Sequence, residues 1–144
     1  MKVDQLSIFL ENRSGRLAQV TSLLAENEIN IRALSLADTT DFGILRLIVS
    51  DFDKAEKCLK KEGLTVGRTA VVAVEIDDTP GSLHNLLDHF ADESVNINVE
   101  YMYAFVQELG RSAAMILRFD KTEAAIELLA EKGVKLISQE ALQA

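Results

Sequence analysis

Apolar side chains alternate with polar or outward ones at Leu6, Ile8 and Leu10, and again at Val72, Val74 and Ile76. A period of two predicts a strand with one buried face. After each run the period changes. Leu17, Val20 and Leu24, and later Leu83, Leu86, Leu87 and Phe90, recur at helical spacing, which predicts a helix with one apolar stripe. "NIRALSLA" and "NINVEYMYAFV" then predict strands, "DTTDFG" and "QELGRS" hairpin tips, and "ILRLIV" and "AAMILRF" return strands. A second helix carries Ala55, Cys58 and Leu59 and stops at Gly63; its counterpart carries Ala125, Leu128 and Leu129 and stops at Gly133. Glycine just past a helix suits the left-handed C-cap position. "LTVGRTAV" and "VKLIS" predict the closing strands.

The chain therefore repeats itself. Shifted by 66 residues, "SIFLENRSGRLAQVTSLLAENEINI" falls on "AVEIDDTPGSLHNLLDHFADESVNI", with identities at Gly15/Gly81, Leu17/Leu83, Ala25/Ala91, Asn30/Asn96 and Ile31/Ile97. A repeat of this length exceeds the solenoid periods and predicts two small domains. We place them at residues 1–69 and 70–144. Each reads βαββαβ, which predicts an α+β protein: two ferredoxin-like repeats, antiparallel sheets with helices on one face, packed side by side as a pseudo-dimer. No Ser/Pro-rich linker separates them, so the halves should be tightly coupled. In "ILRLIV" and "EYMYAFV" both strand faces are largely apolar, so the helix-free face should also be partly covered. A homodimer is the expected means.

The chemistry gathers where the first strand of each repeat turns into its helix. "ENRSGRL" and "DDTPGSL" put a glycine at the start of the helix. Such a turn presents unpaired backbone N–H groups that can hold a carboxylate, and glycine lets a ligand approach the backbone. Beside them, Asn12 and Asp78 can accept from an ammonium group. Together they match the zwitterion of a free α-amino acid. Asn, Asp, Ser, Pro and Gly are also ordinary turn residues, and on the residues alone that plainer reading stays open.

Composition narrows the partners. Apolar residues are 48% and charged residues 26%, with a net charge of −8. That is a globular balance, and the acidity disfavours nucleic acid and anionic membranes. No apolar run approaches a membrane helix. The start "MKVDQLSIFL" lacks a signal peptide's unbroken apolar stretch, so a cytoplasmic protein is expected. Cys58 is the only cysteine, so it forms no internal disulfide. His84 and His89 stand five apart on one helix, a poor spacing for one metal ion. No metal and no cofactor is expected.

The two turns, followed by "NEINI" and "ESVNI", give the repeat its family likeness. It resembles the ACT domain, a βαββαβ ligand-sensing module of amino-acid metabolism, and the resemblance covers nearly the whole chain as two copies. In that family domains pair side by side and amino acids bind at the pair interface. The resemblance implies that Asn12, Ser14, Gly15 and Arg16 face Asn96 and Ile97, and that Asp78, Pro80, Gly81 and Ser82 face Asn30 and Ile31. Ser14 stands where Pro is usual and Asp78 where Asn is common, so the two sites need not be equivalent. With no catalytic domain in cis, the implied function is a non-enzymatic amino-acid sensor acting on a partner, such as a regulated enzyme, in trans. Two other readings compete. Ferredoxin-like acyl-phosphate hydrolases hold an anion in this loop with a guanidinium, as Arg13 or Arg16 could, but Glu11, Asp77 and Asp78 oppose phosphate there. A protein-interaction module with degenerate ligand sites is the other.

Overall fold

In the computed structural model the described residues form twelve elements: β1 (Val3–Glu11), α1 (Arg16–Glu26), β2 (Ile31–Asp38), β3 (Phe42–Val49), α2 (Phe52–Lys61), β4 (Thr65–Asp77), α3 (Ser82–Asp88), β5 (Val99–Glu108), β6 (Ser112–Phe119), α4 (Thr122–Glu131), β7 (Lys135–Ile137) and α5 (Gln139–Gln143). The structure describes residues 1–38 and 41–143, and at 106–108 the backbone alone. The expected hairpin tip "DTTDFG" includes Thr39 and Thr40, which lie outside the described residues.

Two compact units emerge, Asp4–Thr69 with Leu142–Ala144, and Ala70–Ala141 with Met1–Val3. β4 runs unbroken through the boundary between Thr69 and Ala70. In the first unit the strand order is β2-β3-β1-β4; in the second it is β5-β6-β4-β7. The paired strands for which a register is given run antiparallel. Each unit thus has the βαββαβ order, and the short helix α5 is an addition the periodicity did not predict.

Register assigns the faces. Leu6, Ile8 and Leu10 of β1 and Leu45, Leu47 and Val49 of β3 pack with Val20, Leu24, Phe52, Ala55 and Leu59 of the helices. In the second unit Val72 and Val74 join Met115, Leu117, Phe119, Leu86, Ala125 and Leu129. Phe90 stacks obliquely on Phe119, with ring centroids 4.8 Å apart. Ile44 and Ile48 therefore lie on the helix-free face, as do Tyr101 and Tyr103, which pair with Arg118 and Ile116.

Each unit's helix-free face is partly covered, as the apolar strands predict. Ile48 and the polar Gln5 are buried on the first unit's, and Ala73, Ala114 and Ile116 on the second's. Gln5 Nε2 donates to Ser7 Oγ at 3.1 Å, and Ser7 Oγ shares a 3.0 Å hydrogen bond with Thr69 Oγ1. A buried amide needs such partners. Phe9, which pairs with Ile44, and Phe42 remain 52% and 57% exposed on the first unit's helix-free face. Leu17, Leu34 and Leu36 are 43%, 57% and 49% exposed, two of them on the edge strand β2.

Helix ends follow local rules. Asp51 Oδ1 accepts from the Lys54 amide at 3.1 Å, and Lys60 and Lys61 sit in the last turn of α2. Both choices stabilise a helix against its own unpaired ends and dipole.

Candidate functional site

The two strand-to-helix turns have the same conformation. Gly15 has φ +87° and precedes α1; Gly81 has φ +90° and precedes α3. Neither helix start has a side-chain cap. The Arg16 amide donates to Arg13 O at 3.3 Å, and the Ser82 amide to Thr79 O at 3.2 Å. A Cβ on either glycine would meet nothing within 4 Å. Glycine is required by the left-handed backbone, which L side chains avoid, and not by crowding. α1 has eleven residues and α3 seven, so α1 carries the longer run of aligned peptide dipoles.

The flanking side chains differ between the repeats. In the first, Glu11 takes two cations, Arg13 Nη1 at 3.2 Å and Arg16 Nη2 at 3.8 Å. Arg16 Nη1 donates to Gln19 Oε1 at 3.0 Å. Ser14 and Asn12 are exposed beside them. In the second, Asp78 Oδ2 accepts from the Gly110 amide at 3.3 Å, and Thr79 Oγ1 bonds Ser82 Oγ at 2.8 Å. Pro80 is exposed at the tip of that turn. The backbone amides of Asn12 and Asp78 both donate across to the hairpin, to Asp41 O at 2.9 Å and Arg111 O at 3.0 Å.

Asn30, Ile31, Asn96 and Ile97 lie elsewhere within their own units. Pairing of Leu34 with Leu47 and of Leu47 with Leu6 makes β2 parallel to β1. Asn30 and Ile31 are therefore at the opposite end of the sheet from Asn12–Arg16, roughly 25 Å away at about 3.3 Å per residue. One unit does not assemble the full set. What does stand beside the first turn is the end of β2: Leu36 and Asp38 line a cleft of about 70 Å³ with Asn12, Arg13, Arg16 and Leu17. Sequence reasoning missed these two, and strand direction is the signal that would have found them. Asn96 sits in a loop with φ +54°, its carbonyl bound by Lys121 Nζ.

Among the described residues no three metal-ligating side chains cluster. Cys58 Sγ donates to Ala55 O at 3.4 Å, and burial raises its thiol pKa, the behaviour of a packing residue. No helix is long and apolar enough to cross a membrane among the described residues.

Two ferredoxin-like units in one chain, each with a glycine-started helix after its first strand, define a paired small-module protein. The chain belongs to the ACT domain pair family, whose model matches residues 1–144. A crystallised protein from Bacteroides thetaiotaomicron is 43% identical, with a TM-score of 0.92 over 99% of this chain and 96% of that one. The acetolactate synthase small subunit of Buchnera aphidicola subsp. Baizongia pistaciae is 30% identical over 105 residues, 72% of this chain. The match spans 60% of that subunit's length. The ligand-free regulatory subunit of aspartate kinase from Thermus thermophilus shares the fold, with a TM-score of 0.61 at 17% identity over 89% of this chain and 90% of that one.

Proposed function

We propose that this chain is a non-catalytic regulatory protein that binds a free amino acid at its strand-to-helix turns and acts on an enzyme carried by another chain. One observation carries the reading: the same left-handed glycine and uncapped helix start recur at Gly15 and Gly81, each with an amide or carboxylate three residues before it, at Asn12 and Asp78. First-turn amides would hold the α-carboxylate, and Asn12 Oδ1 or an oxygen of Asp78 would accept from the ammonium group. Ser14, Arg16, Pro80 and Ser82 shape the two turns. Asn30, Ile31, Asn96 and Ile97 join such a site only where a second ACT surface presents them to a turn. Relatives named as a small subunit and a regulatory subunit support action on an enzyme in trans.

A homodimer belongs to the same reading. Leu17, Leu34 and Leu36 form an exposed apolar stripe on α1 and the edge strand β2, and their counterparts Leu83 and Met102 are 36% and 39% exposed. An unpaired edge with apolar side chains invites pairing. Sedimentation equilibrium at micromolar concentration should give twice the 15.9 kDa chain mass, and Leu34→Glu should lower it to one.

The function is tested by a thermal-shift screen of free amino acids followed by calorimetry. A ligand at 100 times its Kd adds about 2.7 kcal/mol of stability. If no amino acid at millimolar concentration shifts the transition, the sensor reading fails.

A further inference from the structure

A second cleft shares Leu10, Glu11 and Arg16 with the small one at the first turn. It measures about 380 Å³, and its lining includes Phe9, Glu11, Arg16, Gln19, Phe42, Glu62 and Thr65. Phe9 and Phe42 are 52% and 57% exposed. Phe9 pairs with Ile44 and Glu11 with Phe42, so the two rings project from the same face of neighbouring strands at diagonal positions. Side chains in that relation are within reach of one another. Two large rings more than half exposed at one spot are costly for a chain with no use for them.

The duplication supplies a comparison inside the same molecule. The equivalent cleft of the second unit, about 330 Å³, has Glu75 where the first has Phe9, Ser82 for Arg16, Asn85 for Gln19 and Lys135 for Thr65. Asp77 pairs with Ser112 as Glu11 pairs with Phe42, so serine stands where the second phenylalanine would be. An ion pair between Lys135 and Glu75 occupies that wall. The first cleft has neither the lysine nor its acid. Phe9 and Thr65 stand in their places, and Phe42 and Arg16 replace Ser112 and Ser82.

We propose that the first-unit cleft binds a small aromatic monocarboxylate, its ring against Phe9 and Phe42 and its carboxylate on Arg16. Arg16 is one-third exposed and is held by Gln19 at 3.0 Å and Glu11 at 3.8 Å, which orients the guanidinium. Its fork of five donors exceeds what those two acceptors take, and bidentate pairing with a planar carboxylate is what that geometry suits. Aromatic rings favour another ring in offset or edge-on contact. Glu11 and Glu62, both in the lining, repel a second carboxylate, which restricts the ligand to one negative charge. The volume lies within the range of small-molecule sites. This inference shares Arg16 with the amino-acid reading of the first turn, but Phe9, Phe42, Glu62 and Thr65 play no part in that site, so loss of binding in Phe42→Ser tests it separately.

The test is calorimetric titration of the full chain with 3-phenylpropionate, beside 3-phenylpropionamide, which keeps the ring and loses the charge. Wild-type protein should bind the carboxylate. The amide should bind about tenfold more weakly, the scale of one lost charge-assisted contact. Phe42→Ser, which copies the second unit's own residue at an exposed position, should weaken the carboxylate about tenfold while circular dichroism stays unchanged. In amide-resolved NMR the shifts should fall on Gly63, Leu64 and Thr65. Absence of binding at millimolar concentration, equal binding of acid and amide, or full affinity in Phe42→Ser overturns the proposal. So does a Phe42→Ser protein that binds normally but has changed from dimer to monomer, since the rings would then cover an interface.

Discussion

The backbone amide of Asn98 donates to Asp120 Oδ1 at 2.9 Å, and the amide of Asp120 donates to Asn98 O at 3.1 Å. The first unit has the same reciprocal pair between Asn30 and Ser50, with both bonds at 2.9 Å. It ties the start of the second strand to the end of the third. Asn98, and not Asn96, therefore holds the place of Asn30. Gly81 stands 66 residues after Gly15, Asn98 stands 68 after Asn30, and Asp120 stands 70 after Ser50.

Asp120→Ser should be close to neutral, because serine fills this place in the first unit. Asp120→Ala should cost about 0.5–1.5 kcal/mol, the net worth of one hydrogen bond. Urea denaturation of the two variants separates these outcomes; equal midpoints would remove the pair's importance.

Gly15→Val should destabilise by about 1–3 kcal/mol, because a β-branched side chain is strained at positive φ. Gly15→Asn should lose much less, since asparagine visits this region and space for a Cβ is open. Comparable losses from both would point to crowding in place of conformation. Chemical denaturation reads either result.

Asn12→Ala and Asp78→Ala should each weaken amino-acid binding at their own turn by about 1.5–3 kcal/mol. Asp78 also accepts from the Gly110 amide, so alanine loosens the hairpin too. Asp78→Asn keeps an oxygen for that bond and removes only the charge. Calorimetry showing wild-type affinity for Asp78→Asn would show that the charge is not what binds ligand.

Asp92 accepts from the backbone amide of Ser94 at 2.9 Å, and this bond, with the Ser94 side chain, lowers its carboxyl pKa. A lowered folded pKa means that the bond's contribution is complete above the ordinary Asp value of about 3.9 and is lost as pH falls through the folded value. Stability of Asp92→Asn should therefore fall less steeply with pH below about 4 than wild type. Parallel acid denaturation curves for the two proteins would contradict this.

Most of the fold was legible. The alternation at Leu6, Ile8 and Leu10 and the glycines at 15, 63, 81 and 133 marked strands and helix ends by mechanisms that act within a few residues. Parity in "ILRLIV" was not, because both alternating sets are apolar; only the pairing of Ile48 with Ala33 and of Leu47 with Leu6 separates the faces. α5 is five residues long, too short for a helical period to appear. The two turns were legible as turns. Their distance from Asn30 and Asn96 was not, because it depends on strand direction across β3 and β6. A single sliding offset pairs Asn96 with Asn30 and cannot register two length changes. Arg16 was visible as a turn residue, but its cleft with Phe9, Phe42 and Thr65 forms from three separate strands.

β4 carries Val66 into the first core and Val72 and Val74 into the second along thirteen uninterrupted residues. Between the repeats, length has drifted by two residues ahead of β5 and by two more in the β5–β6 hairpin, where loops absorb the change. The join itself has no loop to absorb any. A single residue gained or lost near Thr69 would reverse the in-and-out parity of one set of valines relative to the other. Natural variation should therefore tolerate insertions at both of those loops and purge them at the seam, so that the most constrained chain length in this protein lies where its two repeats join.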